Sequence, residues 1–389
     1  MELSKRNLPS PIEQELGDDG MPTGLEKEAH DDELIGIVRP FDPEKIKIVR
    51  ETKTVSLLNI RIQHGEMDLS PDFQRNAGIW NLKQKSRLIE SLLLRIPLPA
   101  FYVASDRDEN WAVVDGLQRL STISDFMNGE FSLRGLEYLV QLEDLSFEKL
   151  PRSMQRRIEE TELVLNVIQP GTPEEVMFNV FSRINTGGLT LNGQEIRHAI
   201  NKGPARELLR DLAKSKEFLQ ATSRSISDRR MLARECVLRF MAFWLTDWRE
   251  YTSNDLDGFL NSAMRKLNEM SDWNRSDCAA AFQKGMRAAF DIFGDDAFRK
   301  RYDLRDARKP ISKPLFETWS VCLAKLTEAE IEYLVENAAV LRGIFSELLL
   351  HDRDYEVSIS NSTGVPARVR RRFIATEEMI DKALKKCAK

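Results

Sequence analysis

In the stretch WAVVDGLQRLSTISDFMNGEF, Trp111 to Phe131, a carboxylate, an amide and a guanidinium fall within one short turn: Asp115, Gln118 and Arg119. The apolar run 111–114 reads as a strand, Asp115 and Gly116 turn the chain, and Leu117, Leu120, Ile123 and Phe126 recur at helical spacing. Arg119 therefore falls in the opening turn of a helix, where unpaired N–H groups and the helix dipole already supply positive charge. An arginine suits that position when it and the N–H groups share one anion, such as a phosphate that guanidinium grips in a bidentate way. Gln118 then suits a water or a ribose hydroxyl. The plainer account is that Asp115 caps the helix and pairs with Arg119 as a structural salt bridge. Taken alone, the five letters DGLQR favour it.

Two other polar clusters bear on the choice. PDFQRNAGIW puts Gln74 and Arg75 in a loop ahead of a helix, where a solvated arginine is explanation enough. FSRINTGGLTLNGQEIR places Arg183, Asn185 and Thr186 at a helix end that Gly187 and Gly188 stop. A glycine cap accounts for the glycines but not for the crowding of Arg and Asn. Ser121 and Thr122 lie within reach of the helix start, and Lys85 reads as a solvated helix lysine.

The elements that must position these residues are legible in the pattern. Leu88, Ile89, Leu92 and Leu93 mark one face of a helix, with Asn81 as N-cap and Pro97 and Pro99 as its stop. Residues 100–104 and 111–115 flank the polar SDRDEN and predict a hairpin with a longer loop, and Asn128 with Gly129 ends the helix that follows. ELVLNVI predicts a strand over 162–168. Thr172, Pro173 and Glu175, and then Asn192 and Glu195, carry the capping patterns that open two more helices. Residues 1–38, rich in Pro, Gly, Asp and Glu with no apolar period, read as a mostly disordered acidic arm. Beyond about residue 203 apolar residues recur at three and four spacing, which predicts an all-α second domain.

Composition limits the function classes. With 389 residues, 42% of them hydrophobic, the chain is long enough for two or three cores. Its 57 basic and 62 acidic residues give a net charge of -5, which argues against a protein that coats nucleic acid by global charge. Any DNA contact must be local. Arg368, Arg370, Arg371 and Arg372 form one such cluster, with a basic surface balancing acidic neighbours as an equal account. The four cysteines and four histidines are scattered, with neither CxxC nor HExxH spacing, which argues against a zinc enzyme. No apolar run approaches the roughly 20 residues of a membrane span, and the first residues do not read as a signal peptide, so the expected location is the cytoplasm.

In chain order, PDFQRNAGIWNLKQKSRLIESLLLRIPLP, WAVVDGLQRLSTISDF and VFSRINTGGLTLNGQEIRHA resemble the family catalogued as domain of unknown function 262. That family is also described as the N-terminal domain of GmrSD-type modification-dependent restriction enzymes, and the likeness spans about residues 41–200. It implies an α+β domain of ParB/sulfiredoxin-like fold over residues 39–202, followed by the helical domain over 203–389. It also implies binding and hydrolysis of nucleoside triphosphates with Mg²⁺, within prokaryotic defence against phage or foreign DNA. The family's D-G-Q-Q-R signature falls on Asp115, Gly116, Leu117, Gln118 and Arg119, and this sequence departs from it at Leu117, which makes no polar contact. The family's Q-R pair falls on Gln74 and Arg75, and its F-x-x-x-N element on Phe181 and Asn185.

On that carry-over Arg75, Arg119 and Arg183 neutralise a triphosphate, and Asp115 holds Mg²⁺ or orients a water. Gln74 and Gln118 join them in the catalytic set, while Gly116, Ser121, Thr122 and Asn185 complete the nucleotide site. The expected partners are a nucleoside triphosphate, DNA, and a separate nuclease or defence subunit, with a homodimer among the oligomeric states left open. Two other readings stand beside this one. The first is a DNA-binding or DNA-nicking module that keeps the fold without NTPase activity and uses the arginine cluster. The second is a non-catalytic scaffold, which Leu117 keeps open. No HNH nuclease is expected, because only His351 follows residue 203.

Overall fold

The computed structural model describes residues 12–17, 20–28, 47–69, 80–106, 108–172, 176–177, 180, 192–302 and 307–386. Its first ordered element lies where composition predicts none. Strands β1 (Gln14–Leu16) and β2 (Pro22–Glu26) pair antiparallel. Leu25 is fully buried in the core of the helical residues and bridges to Ile311. Over the described residues 12–28 the expectation of a disordered acidic arm is thus corrected. Acidic composition signals disorder when the carboxylates have only water to face. Here Glu26 and Glu28 meet Lys300 and Arg239.

The chain divides into two compact units, one of residues 40–200 and one that joins the residues before 40 to those from 201 onward. The first unit is a five-stranded mixed sheet with helices. In chain order it contains β3 (Ile48–Thr54), α1 (Val55–Gln63), β4 (Met67–Asp68), α2 (Leu82–Leu93), β5 (Phe101–Ser105), β6 (Trp111–Asp115) and α3 (Leu117–Met127). After these come α4 (Arg152–Glu159), β7 (Glu162–Ile168) and α5 (Gly193–Ile200). The strand order is β3-β7-β5-β6-β4. β3 runs antiparallel to β7, β7 parallel to β5, β5 antiparallel to β6, and β6 parallel to β4.

Both faces of the central strands are covered, which is why they read as near-continuous apolar runs. Phe101, Val103, Trp111, Val113, Leu163, Leu165 and Val167 pack with Leu88, Ile89, Leu92, Leu120, Ile123 and Phe126 from α2 and α3. On the opposite face Ala104, Val114 and Ile168 meet Ile196 of α5. The capping chemistry read from the sequence is present. Asn81 and Gln84 form a capping box at α2, Asn192 and Glu195 exchange the same pair of bonds at α5, and Gly129 follows α3 at φ 79°.

Glu90 ties α2 to the loop beyond α3. Its buried carboxylate accepts hydrogen bonds from the amides of Glu137 at 3.0 and 3.1 Å, Tyr138 at 2.7 Å and Leu139 at 2.7 Å. Burial alone would raise this carboxyl, but the amide donors outweigh it and hold the group below the ordinary carboxylate range. A depressed pKa contributes stability that is complete above the unfolded value, near pH 4.5, and is lost as pH falls through the folded value. Glu90→Gln is therefore expected to cost about 1.5–3 kcal/mol at pH 7, the worth of charge-assisted bonds to a buried group. Urea unfolding at pH 7 and pH 3 checks this; the gap from wild type should narrow at the lower pH.

The second unit adds α6 (Pro204–Ala213), α7 (Lys216–Ala221), α8 (Leu232–Leu245), α9 (Leu256–Glu269) and α10 (Asp272–Phe293) to the hairpin. It closes with α11 (Lys313–Ala324), α12 (Glu328–Glu336), α13 (Ala338–His351), α14 (Arg353–Ser358) and α15 (Pro366–Lys386). Helix α11 is buried along its whole length, and its Lys313 and Glu317 are buried with ion-pair partners. Phe218, Phe240, Phe282 and Phe316 pack ring against ring between α7, α8, α10 and α11. An α+β segment followed by a helical one is the fold class that the sequence predicts.

Candidate functional site

β6 ends at Asp115, and Gly116, in the left-handed region at φ 92°, is the N-cap of α3. Having no side chain, it cannot cap the helix. A Cβ at this position would lie 2.2 Å from Cδ1 of Phe101, itself fully buried. Conformation and space both demand glycine here.

Arg119 bends back across the start of α3. Its Nη2 donates to Asp115 Oδ2 at 3.1 Å and to the Ala100 carbonyl at 3.5 Å, and its Nη1 donates to the Pro99 carbonyl at 2.6 Å. The guanidinium lies 4.3 Å over the Phe101 ring, close enough for cation–π attraction. Burial lowers the Arg119 pKa, and the charge of Asp115 works in the opposite direction. The plainer account drawn from DGLQR is thus half right. The Asp115–Arg119 pair exists, but Asp115 does not cap the helix. The arginine tolerates the helix start because two carbonyls, a carboxylate and an aromatic face receive it.

Around this corner Leu117 is half-buried and packs against the sheet core, and Gln118 is half-buried in the first turn. Ser121 Oγ donates to the Gln118 carbonyl at 3.2 Å. Thr122 is only 1% exposed. It is corrected out of the nucleotide site, because the helix turns it inward. Lys85 is no solvated lysine: its Nζ pairs with Asp125 at 2.8 Å and lies 5.6 Å over the Phe131 ring. Gln74, Arg75, Arg183 and Asn185 lie outside the described residues.

For Mg²⁺, no group of three or more His, Cys, Asp or Glu side chains able to hold a metal occurs among the described residues. Mg²⁺ commonly takes one or two carboxylates and fills its shell with phosphate and water, so a single carboxylate at the corner fits it. Asp115 would be that ligand, once Arg119 has another anion to pair with.

The four C-terminal arginines do not share one environment. Arg372 is fully buried and paired with Glu317, also fully buried, and it donates to the carbonyls of Thr363 at 2.6 Å and Ser358 at 3.3 Å. Arg371 pairs with Asp352, Arg368 donates to the Asn361 carbonyl, and Arg370 is exposed. The nucleic-acid assignment is therefore corrected for Arg372 alone, which is buried. Arg370, Arg371 and Arg372, one and two apart on the helix, leave it in different directions, and the four reach different surroundings. His351 closes α13 on an exposed turn.

Sequence reasoning missed Phe101, which both forces Gly116 and supports Arg119. Its signal was faint: an aromatic at the head of a predicted strand. No match appears among curated proteins. Residues 56–201 match the family model described as GmrSD restriction endonuclease, N-terminal domain. Through that stretch, which contains the Asp115–Arg119 corner and four of the five sheet strands, the chain carries a GmrSD-type N-terminal domain.

Proposed function

We propose that this chain serves prokaryotic defence against phage or foreign DNA, as a restriction-type protein whose GmrSD-type domain binds a nucleoside triphosphate at the Asp115–Arg119 corner. The observation that carries the reading is the corner itself. A helix start without a capping side chain lies beside an arginine whose charge is met by one carboxylate. A phosphate would take both the helix dipole and the guanidinium, in place of Asp115. Asp115, so released, would hold the Mg²⁺ that neutralises developing phosphate charge, or would orient water. Gln118, in the same turn, would order the ribose or the attacking water.

A second reading, a non-catalytic scaffold, is favoured by two observations. Arg119 is 15% exposed with its donors engaged internally, and Leu117 packs apolar surface where a polar side chain would meet a ligand.

Calorimetric titration with ATP, GTP, CTP and UTP, and phosphate release with and without Mg²⁺, separate the two. Binding by wild type is expected. Arg119→Ala should weaken it by roughly 10–100-fold, the worth of about 1.5–3 kcal/mol of charged hydrogen bonding. A melting curve accompanies each titration. No binding of any nucleotide by folded wild-type protein would sink the nucleotide reading and leave the scaffold. Unchanged affinity in a folded Arg119→Ala protein would remove Arg119 from the site.

A further inference from the structure

The helical unit is charged at its centre. Arg239, Lys300, Lys313 and Arg372 are all buried. Among the described residues, the helical segments supply these four cations with two paired carboxylates. Glu235 lies 3.1 Å from Arg239 and 3.3 Å from Lys313, and Glu317 serves Arg239 at 3.4 Å and Arg372. The rest of the counter-charge comes from the first 28 residues. Glu26 meets Lys300 at 2.5 Å, Glu28 meets Arg239 at 3.0 Å, and Glu15 meets Lys313 at 3.7 Å. Glu28 also accepts from Thr363 Oγ1 at 2.5 Å.

This strap is held differently from the helices. Leu25 is its one side chain in the apolar core. Beyond the carboxylates it is held by backbone bonds from Glu26 to Ile311 at 2.8 Å, from Ile311 to Gly24 at 2.9 Å and from Ser227 to Thr23 at 3.2 Å. Even with the strap in place, Glu26 Oε2 and Arg372 Nε are buried without a hydrogen-bond partner among the described residues. A contact made of carboxylates on buried cations is one that another anion can compete for, whereas apolar packing is not.

We propose that Lys300, Arg239 and Lys313 form an anion site of the helical unit, that Glu15, Glu26 and Glu28 of the strap occupy it as a built-in counter-ligand, and that an oligophosphate binds there by displacing the strap. The forked donors of Arg239 and the two ammonium groups suit spaced phosphate oxygens as well as spaced carboxylates. Release of three glutamates would leave four cations facing two carboxylates, the imbalance that draws the ligand in. The proposal stands apart from the nucleotide reading, since all of its residues belong to the helical unit.

The test uses the full chain and inorganic tripolyphosphate. Hydrogen exchange at the amides of Glu26, Ile311 and Ser227 reports the strap alone, so binding at the Asp115–Arg119 corner does not register in it. Tripolyphosphate should speed exchange at these amides at least tenfold, while potassium chloride at equal ionic strength should not. Glu26→Gln/Glu28→Gln should bind tripolyphosphate at least tenfold more tightly than wild type, and adding Lys300→Gln should remove the gain. If tripolyphosphate leaves or slows strap exchange in the wild-type protein, the strap is a fixed strand and the proposal fails, whether or not the variants fold. A folded double variant that binds no more tightly than wild type overturns it equally.

Discussion

Gly116→Ala is expected to lower the stability of the sheet unit by about 2–5 kcal/mol. Holding a side-chain-bearing residue in the left-handed region costs about 1–2 kcal/mol, and forcing an atom into a packed wall adds about 1–3 kcal/mol. Both conditions hold here, with φ at 92° and the added Cβ 2.2 Å from the buried Phe101 ring. Gly129→Ala is the control. It stands at φ 79° with nothing within 4 Å of its added Cβ, so it should show the conformational part alone. Urea unfolding of both variants isolates the steric part as their difference. Equal losses would mean that the Phe101 wall yields, and that the corner is less rigid than its packing suggests. The corner's chemistry depends on the same wall, because Phe101 also carries the Arg119 guanidinium.

Arg372→Met is expected to cost about 3–5 kcal/mol, as removal of one partner from a buried ion pair generally does. Glu317, fully buried, would keep Arg239 at 3.4 Å but lose its nearer partner. Arg370→Ala, two residues earlier and exposed, should stay within about 0.5 kcal/mol of wild type. Chemical denaturation of the two variants, with Arg372→Met/Glu317→Leu as a third, measures the contrast. The double replacement should recover much of the loss, since apolar groups of similar volume often replace a buried pair at little cost. A wild-type midpoint for Arg372→Met would contradict the buried pair and return Arg372 to the surface.

These two residues show where sequence reading succeeds and where it stops. Local rules act over a few residues, so whatever depends on them was legible. Examples are the 162–168 strand, the 100–115 hairpin, the N-cap at Asn81, the capping box at Asn192, and the helix of Leu117, Leu120, Ile123 and Phe126. The motif order identified the family by the same local means.

What a charged side chain faces is not local. Arg119 and Arg372 are both arginines early in a helix, yet one closes on Pro99 and Asp115 and the other on Glu317, 55 positions away. Composition made residues 12–28 look disordered, because the cations that Glu26 and Glu28 pair with lie more than 200 residues further along the chain. The sequence by itself determined the 100–115 hairpin, the 162–168 strand, the helices that begin at Leu82 and Leu117, the α+β-then-helical fold class and the family match of residues 56–201. Only the tertiary structure decided that Gly116 must be glycine, that Arg119 is held rather than free, and that the acidic hairpin belongs to the helical core. The physical reason is common to all three: burial and ion pairing depend on neighbours that folding, not chain order, brings together.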